Sequence, residues 1–169
     1  MLRRIAVFLA GIGLLAMAPA TAQADGAWNQ IQNIYSTRCM DTFANLTPAN
    51  GVMVQQWDCN GKEQQMFTKH YLPGTDRFLL QNKRSGLCVQ IRYHATWAGE
   101  LLEQWRCDAN VASQQWRAFD PGGNSTGAKW LVNVNSGKCV EIPGWNVDKG
   151  VWLTQSDCVF GHKQFWRGL

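Results

Sequence analysis

Apolar and polar positions along this chain alternate in short stretches and never settle into a long periodic run. Residues 28–32, 78–81 and 130–134 are segments of four or five residues rich in β-formers. Clusters of Gly, Pro, Asn and Asp separate them, as in Leu72-Pro73-Gly74-Thr75-Asp76 and Asp120-Pro121-Gly122-Gly123-Asn124; such residues favour turns. No apolar period of the helical kind lasts long enough to build a helix, so the pattern predicts an all-β chain.

The first residues follow a different rule. Arg3 and Arg4 precede an apolar or small-residue run over residues 5–17, and Ala22-Gln23-Ala24 follows it. A basic start, an apolar middle and an A-x-A site are the three parts of a secretory signal. A run of 13 residues falls short of the roughly 20 that a membrane-spanning helix needs. The reading is therefore a signal peptide over residues 1–24 and a mature domain over 25–169, exported without membrane insertion to an extracellular or periplasmic destination. Ala18-Pro19-Ala20 offers a second cut, and Arg3-Arg4 weakly resembles a twin-arginine signal. The first cysteine is Cys39, so nothing near the cut would carry a lipid.

Export changes how the six cysteines read, because an oxidising compartment favours disulfides. They stand at 39, 59, 88, 107, 139 and 158, with intervals of 20, 29, 19, 32 and 19. No C-x-x-C occurs, and His70, His94 and His162 are scattered, so no metal site and no cofactor are expected.

Those intervals betray a repeat. Asn33, Ser36 and Cys39 have the spacing of Asn82, Ser85 and Cys88 and of Asn133, Ser136 and Cys139, all reading N-x-x-S-[TG]-x-C. Before the second cysteine, Gln55-Gln56-Trp57-Asp58 matches Glu103-Gln104-Trp105-Arg106 and Thr154-Gln155-Ser156-Asp157. Each copy closes on Gln-x-aromatic, as Gln65 with Phe67, Gln114 with Trp116 and Gln164 with Phe165-Trp166; the Asn lies 34, 34 and 33 residues before that aromatic. The copies run over about 28–70, 71–120 and 121–169. Three units of three or four short strands would bury their apolar faces centrally and leave few edges exposed.

Q-x-W closing three repeats of about fifty residues, with a cysteine pair in each, resembles the ricin B-chain type lectin family over nearly the whole mature chain. The resemblance implies a β-trefoil, with six strands in a short barrel and six in a hairpin cap. It also implies carbohydrate binding through up to one shallow pocket per repeat. Of the 15 connectivities open to six cysteines, Cys39–Cys59, Cys88–Cys107 and Cys139–Cys158 repeats identically in the copies.

In that family a pocket joins a carboxylate two residues after the first cysteine, an aromatic two before the second, and amides between. A carboxylate makes strong hydrogen bonds to sugar hydroxyls, an aromatic face carries the apolar face of the ring, and amides both donate and accept. The first repeat matches throughout, with Asp41, Gln55, Trp57, Gln64 and Gln65, the ring orientation depending on the loops around Trp57 and Phe43. The second departs, with Gln90 for the Asp and Glu103 for the amide beside Trp105 and Gln114, and is expected to be a weaker site. The third has Glu141, one methylene longer, and Ser156 for the aromatic, with Trp145 or Trp152 as loop substitutes. Asp41, Gln55 and Trp57 vary between copies, so core symmetry does not demand them, whereas the closing aromatics recur and read as core.

Composition narrows the rest. Hydrophobic residues make up 46% and charged residues 17%, too apolar for a disordered chain. The net charge of +4 includes Arg3 and Arg4 and forms no basic run, so nucleic acid is excluded as a partner. Gly123-Asn124-Ser125-Thr126-Gly127 fits G-x-S-x-G but lacks the strand-to-helix setting of a nucleophile. The sequence therefore reads as a binding module and not an enzyme. One reading is a secreted lectin for galactose-like or related sugars, and the other is a trefoil with vestigial sugar sites that serves a toxin or enzyme partner chain, or inhibits one.

Overall fold

The computed structural model describes residues 26–42, 49–123 and 125–169. The expected signal peptide over 1–24, Phe43, and Asn124 of the G-x-S-x-G string lie outside the described residues.

Each repeat supplies four strand positions. The first contains β1 (Asn29–Gln30), β2 (Gln32–Asn33), β3 (Cys39–Thr42), β4 (Val52–Trp57) and β5 (Met66–Tyr71). The second contains β6 (Phe78–Asn82), β7 (Cys88–Ile91), β8 (Leu102–Trp105) and β9 (Gln115–Phe119). The third contains β10 (Trp130–Asn133), β11 (Cys139–Glu141), β12 (Thr154–Ser156) and β13 (Trp166–Arg167). All helix among the described residues is 3-10, in five turns of three residues. The twelve expected strands become thirteen because the first position breaks at Ile31, where the chain changes partner: β1 pairs β5, while β2 pairs β13 and β3.

Strand pairing closes a barrel. β5 pairs β6, β6 pairs β9 and β9 pairs β10. Lys129 and Trp166 exchange two backbone hydrogen bonds of 2.9 Å, joining the third repeat's first and last positions. The hairpins β3–β4, β7–β8 and β11–β12 cap one end and hold each other through Val52–Gln104, Leu101–Thr154 and Gln55–Trp152 pairs. Closure removes most free edges, which is how so many short strands remain stable.

Burial follows the repeat. Ile31, Leu80 and Leu131 form one buried set, Met40, Val89 and Val140 a second, and Val54, Leu102 and Leu153 a third. The closing aromatics Phe67, Trp116 and Trp166 are buried as core. Trp116 Nε1 donates to the Val89 carbonyl at 2.9 Å and Trp166 Nε1 to that of Val140 at 3.0 Å, so neither indole is left unpaired.

The repeated Asn joins each copy to the one before. Asn82 Oδ1 accepts from the N–H groups of Arg84 and Ser85, and its Nδ2 donates to the carbonyls of Gln64 and Met66. Asn133 does the same with Asn135, Ser136, Ser113 and Gln115, and Asn33 with Tyr35, Ser36, Lys163 and Phe165. All three are fully buried, so the Asn is a structural residue in every copy. The disulfides join Cys39–Cys59, Cys88–Cys107 and Cys139–Cys158, as the repeat predicts.

The position before the residue preceding that first cysteine is left-handed throughout, with φ of 59° at Thr37, 68° at Gly86 and 69° at Gly137. A β-branched residue is strained there, by about 1–2 kcal/mol, which the greater freedom of an unfolded glycine partly offsets. Thr37→Gly is expected to stabilise the protein by about 0.5–1 kcal/mol, read as a raised midpoint in urea.

Candidate functional site

Each capping hairpin holds one cross-strand pair at the position where the sequence places a pocket. The pairs are Asp41 with Gln55, Gln90 with Glu103, and Glu141 with Thr154. Every pair contains one carboxylate, and its place and neighbours distinguish the three.

In the first repeat the carboxylate is on β3. Gln55 Nε2 donates to Asp41 Oδ1 at 3.1 Å and Gln65 Nε2 to Asp41 Oδ2 at 2.9 Å. Asp41 is 2% exposed. Burial raises its pKa above 3.8, against the lowering effects of the Gln55 and Gln65 hydrogen bonds and of the Arg84 charge. Trp57, half-buried, ends β4. The amide of Gln64 makes no hydrogen bond to another described residue; its backbone carbonyl receives Asn82 Nδ2 at 2.9 Å. The structure therefore brings Asp41, Gln55 and Gln65 into one network and leaves Gln64 outside it.

Gln65 also carries structural work. Its Nε2 donates to the Asp58 carbonyl and its Oε1 accepts from the Asn60 N–H and from Gln30 Nε2. Gln114 and Gln164 repeat this, donating to the carbonyls of Arg106 and Asp157 and accepting from the N–H groups of Asp108 and Val159. The closing Gln thus pins the turn after the second cysteine in every copy, and in the first it also orients Asp41.

In the second repeat the carboxylate has moved to the partner strand. Gln114 Nε2 donates to Gln90 Oε1 at 3.0 Å, and Gln90 Nε2 donates to Glu103 Oε1 at 2.7 Å. Among the described residues Glu103 Oε2 has no hydrogen-bond partner, although Glu103 is 5% exposed. A cleft of about 360 Å³ lined by Gln90, Tyr93, His94, Glu103 and Trp105 lies here. A second cleft of about 330 Å³ shares Gln90, His94 and Trp105 and continues past Asn50, Arg106 and Asp108.

The third site is closed by an ion pair. Lys163 Nζ lies 2.8 Å from Glu141 Oε2, which also accepts from Gln164 at 3.0 Å. Trp145 stands beside it, with Lys163 Nζ 5.6 Å from its ring centre and Tyr35 edge-on at 5.1 Å. Trp152 instead pairs with Gln55 of the first repeat.

The sites contain residues that no single repeat reveals. A Cβ on Gly150 would lie 3.4 Å from the Trp57 ring, and Lys149 Nζ sits 5.4 Å from that ring's centre. Asn50 and Gly51 stand likewise at Trp105, Asn50 Oδ1 accepting from the Arg106 N–H. Gly51, Gly99 and Gly150 share φ values of 83–87°. The first and third hairpin turns thus pack on the pocket aromatic of a neighbouring repeat, whereas a Cβ on Gly99 would meet nothing within 4 Å; what favours glycine at all three is the left-handed backbone. A glycine three residues before Val54, Leu102 and Leu153 was the available signal.

Similarity to known proteins agrees with the fold. Residues 27–166 match the ricin-type beta-trefoil lectin domain, so the chain belongs to that carbohydrate-binding family. Among solved structures it resembles a designed three-fold symmetric protein, ThreeFoil, at 24% identity and a TM-score of 0.76, covering 83% of this chain and 96% of that one. It also resembles an exo-beta-1,3-galactanase from Clostridium thermocellum (20%, TM-score 0.75), covering 89% of this chain but 30% of the galactanase. The C-half of an earthworm R-type lectin, solved with GalNAc, matches at 15% identity and a TM-score of 0.62, with 82% and 95% covered. No curated protein matches in sequence. At these identities the solved structures bear on the fold.

Proposed function

We propose that the protein is a secreted lectin that binds galactose-like or related sugars, mainly through the first repeat and more weakly through the second. The observation that carries this is Asp41. It is a buried carboxylate held by two amides beside Trp57, at a position where the other copies have different residues. Gln55 and Gln65 fix the carboxylate so that it accepts from a sugar hydroxyl without reorganising, and Trp57 lies under the ring's apolar face. Three disulfides fit an oxidising destination, and no helix among the described residues is long and apolar enough to cross a membrane. The protein is expected to be retained on immobilised galactose and eluted by free galactose; passage without delay, for galactose and for a glycan array alike, counts against the reading.

A second reading, a trefoil that serves a toxin or enzyme partner, is favoured by one surface. Phe119 and Phe160 are more than half exposed and flank the Trp130–Phe165 contact. Co-purification of a partner chain with a protein that ignores sugars is the outcome that selects it.

A further inference from the structure

The second-repeat cleft contains an aromatic residue that neither the core nor the family pattern requires. Tyr93 follows β7 in the turn Arg92–His94 and lines the cleft of about 360 Å³ together with Trp105 and Glu103. Its backbone is left-handed, with φ 55° and ψ 16°, and His94 follows with φ 55°. The third repeat has the same conformation at the same place, φ 60° and ψ 17°, and fills it with Gly144. Trp145 follows there with φ 58°, so a non-glycine at the second position is shared by both copies; the strain particular to the second repeat is at Tyr93, and such strain persists where the side chain is used.

Packing does not account for Tyr93, which is 67% exposed. What holds it is local. The Arg92 guanidinium lies 4.4 Å from its ring centre and donates to its hydroxyl at 2.6 Å. His94 is fixed from behind, with Nδ1 2.7 Å from Ser113 Oγ and its carbonyl accepting from Asn135 Nδ2 at 2.9 Å. An oriented, solvent-facing aromatic on a strained turn is arranged as a second platform beside Trp105, itself 41% exposed. In the same cleft Glu103 Oε2 offers an acceptor to a hydroxyl, and the adjoining cleft past Asn50 and Arg106 leaves room for the chain to continue.

We propose that the second repeat binds a saccharide of two or more rings, one ring stacked on Trp105 and the next on Tyr93. The inference rests on the carbohydrate reading of the protein and adds the length of the ligand and the residue that measures it. The cleft then distinguishes an oligosaccharide from a single sugar.

The test follows the Trp105 and Trp57 indole N–H resonances of 15N-labelled full-length mature protein, each assigned by its loss in the corresponding Trp→Phe variant. Two matched pairs serve as probes: galactose with lactose, and N-acetylglucosamine with N,N′-diacetylchitobiose. In at least one pair the disaccharide is expected to shift Trp105 at about five-fold lower concentration than its monosaccharide, the size of one aromatic contact. Tyr93→Gly, which installs the third repeat's residue, is expected to bring that ratio below about two while melting at or above the wild-type temperature. Equal affinity within both pairs, an unchanged ratio in Tyr93→Gly, or a variant that melts several degrees lower overturns the proposal, the last by making Tyr93 structural. Movement of Trp57 with Trp105 unmoved overturns it and leaves the lectin reading intact. If neither resonance moves with any sugar, both fail.

Discussion

Asp41→Ala is expected to abolish sugar binding by the first repeat while leaving the protein folded. A shallow single-ring site binds on the order of 1 mM, about −4 kcal/mol. A hydrogen bond to a charged group is worth about 1.5–3 kcal/mol, so its loss moves binding beyond detection. Trp57→Ala removes the platform with the same result, and Ser156→Ala in the third repeat changes nothing. The pH dependence has a separate signature. Burial raises the pKa of Asp41 above 3.8, so affinity is expected to fall with acid earlier than an ordinary aspartate would dictate, as the acceptor is protonated. For stability the sign is opposite. With its folded pKa above the unfolded value, the folded chain binds the proton more tightly, so this group's contribution grows as pH falls through the folded pKa towards 3.8 and is lost on the way back up. Affinity and thermal midpoint measured between pH 7 and pH 4 thus diverge in wild type, and the Asp41 share of the stability change disappears in Asp41→Asn.

Full reduction is expected to unfold the protein. Each disulfide closes a loop of 19 or 20 residues, worth about 3 kcal/mol in the chain-entropy model. Three together approach the whole stability of an ordinary domain, about 5–15 kcal/mol. Removing Cys88–Cys107 alone by a double Cys→Ser change is expected to cost about 2–5 kcal/mol, leaving a folded protein with a lowered midpoint in urea. A reduced chain that melts like the oxidised one would place the stability in the core and the Asn bridges instead.

The fold was legible because three-fold symmetry forces one physical problem to be solved three times in one chain. Asn33, Asn82 and Asn133 must each satisfy backbone groups of the preceding repeat, so the residue recurs at fixed spacing and the repeat announces itself. The closing aromatics recur for the same reason. The candidate site was marked by the opposite signal: the positions of Asp41, Gln55 and Trp57 vary among the copies, Trp57 matching Trp105 but not Ser156, which purely structural positions have little cause to do. Other parts were hidden. Lys149 and Gly150 meet Trp57 across more than ninety residues of sequence, and Asn50 and Gly51 meet Arg106 and Trp105 across more than fifty, in contacts set by how the hairpins interlock. The break at Ile31 belongs to barrel closure and leaves no mark on the local pattern. Tyr93 gave no signal because its meaning is a backbone angle, visible only beside Gly144.

The carboxylate changes place between paired strands from one candidate site to the next. Asp41 receives two amide donors and is spent as a fixed acceptor; Glu103 receives one and keeps an oxygen free; Glu141 is neutralised by Lys163. A few side chains in and around one cross-strand pair thus grade three candidate sites from organised to closed.

Sugar-observed NMR with the folded Asp41→Ala, Trp57→Ala double variant decides whether the first repeat is the main carbohydrate site. Saturation transfer to galactose, or to the sugar a glycan array selects, is expected with wild type and expected to fall to the weaker level of the second repeat in the double variant, thermal melts confirming that both are folded. Undiminished transfer in the folded double variant would contradict the assignment and place the binding site elsewhere on the trefoil.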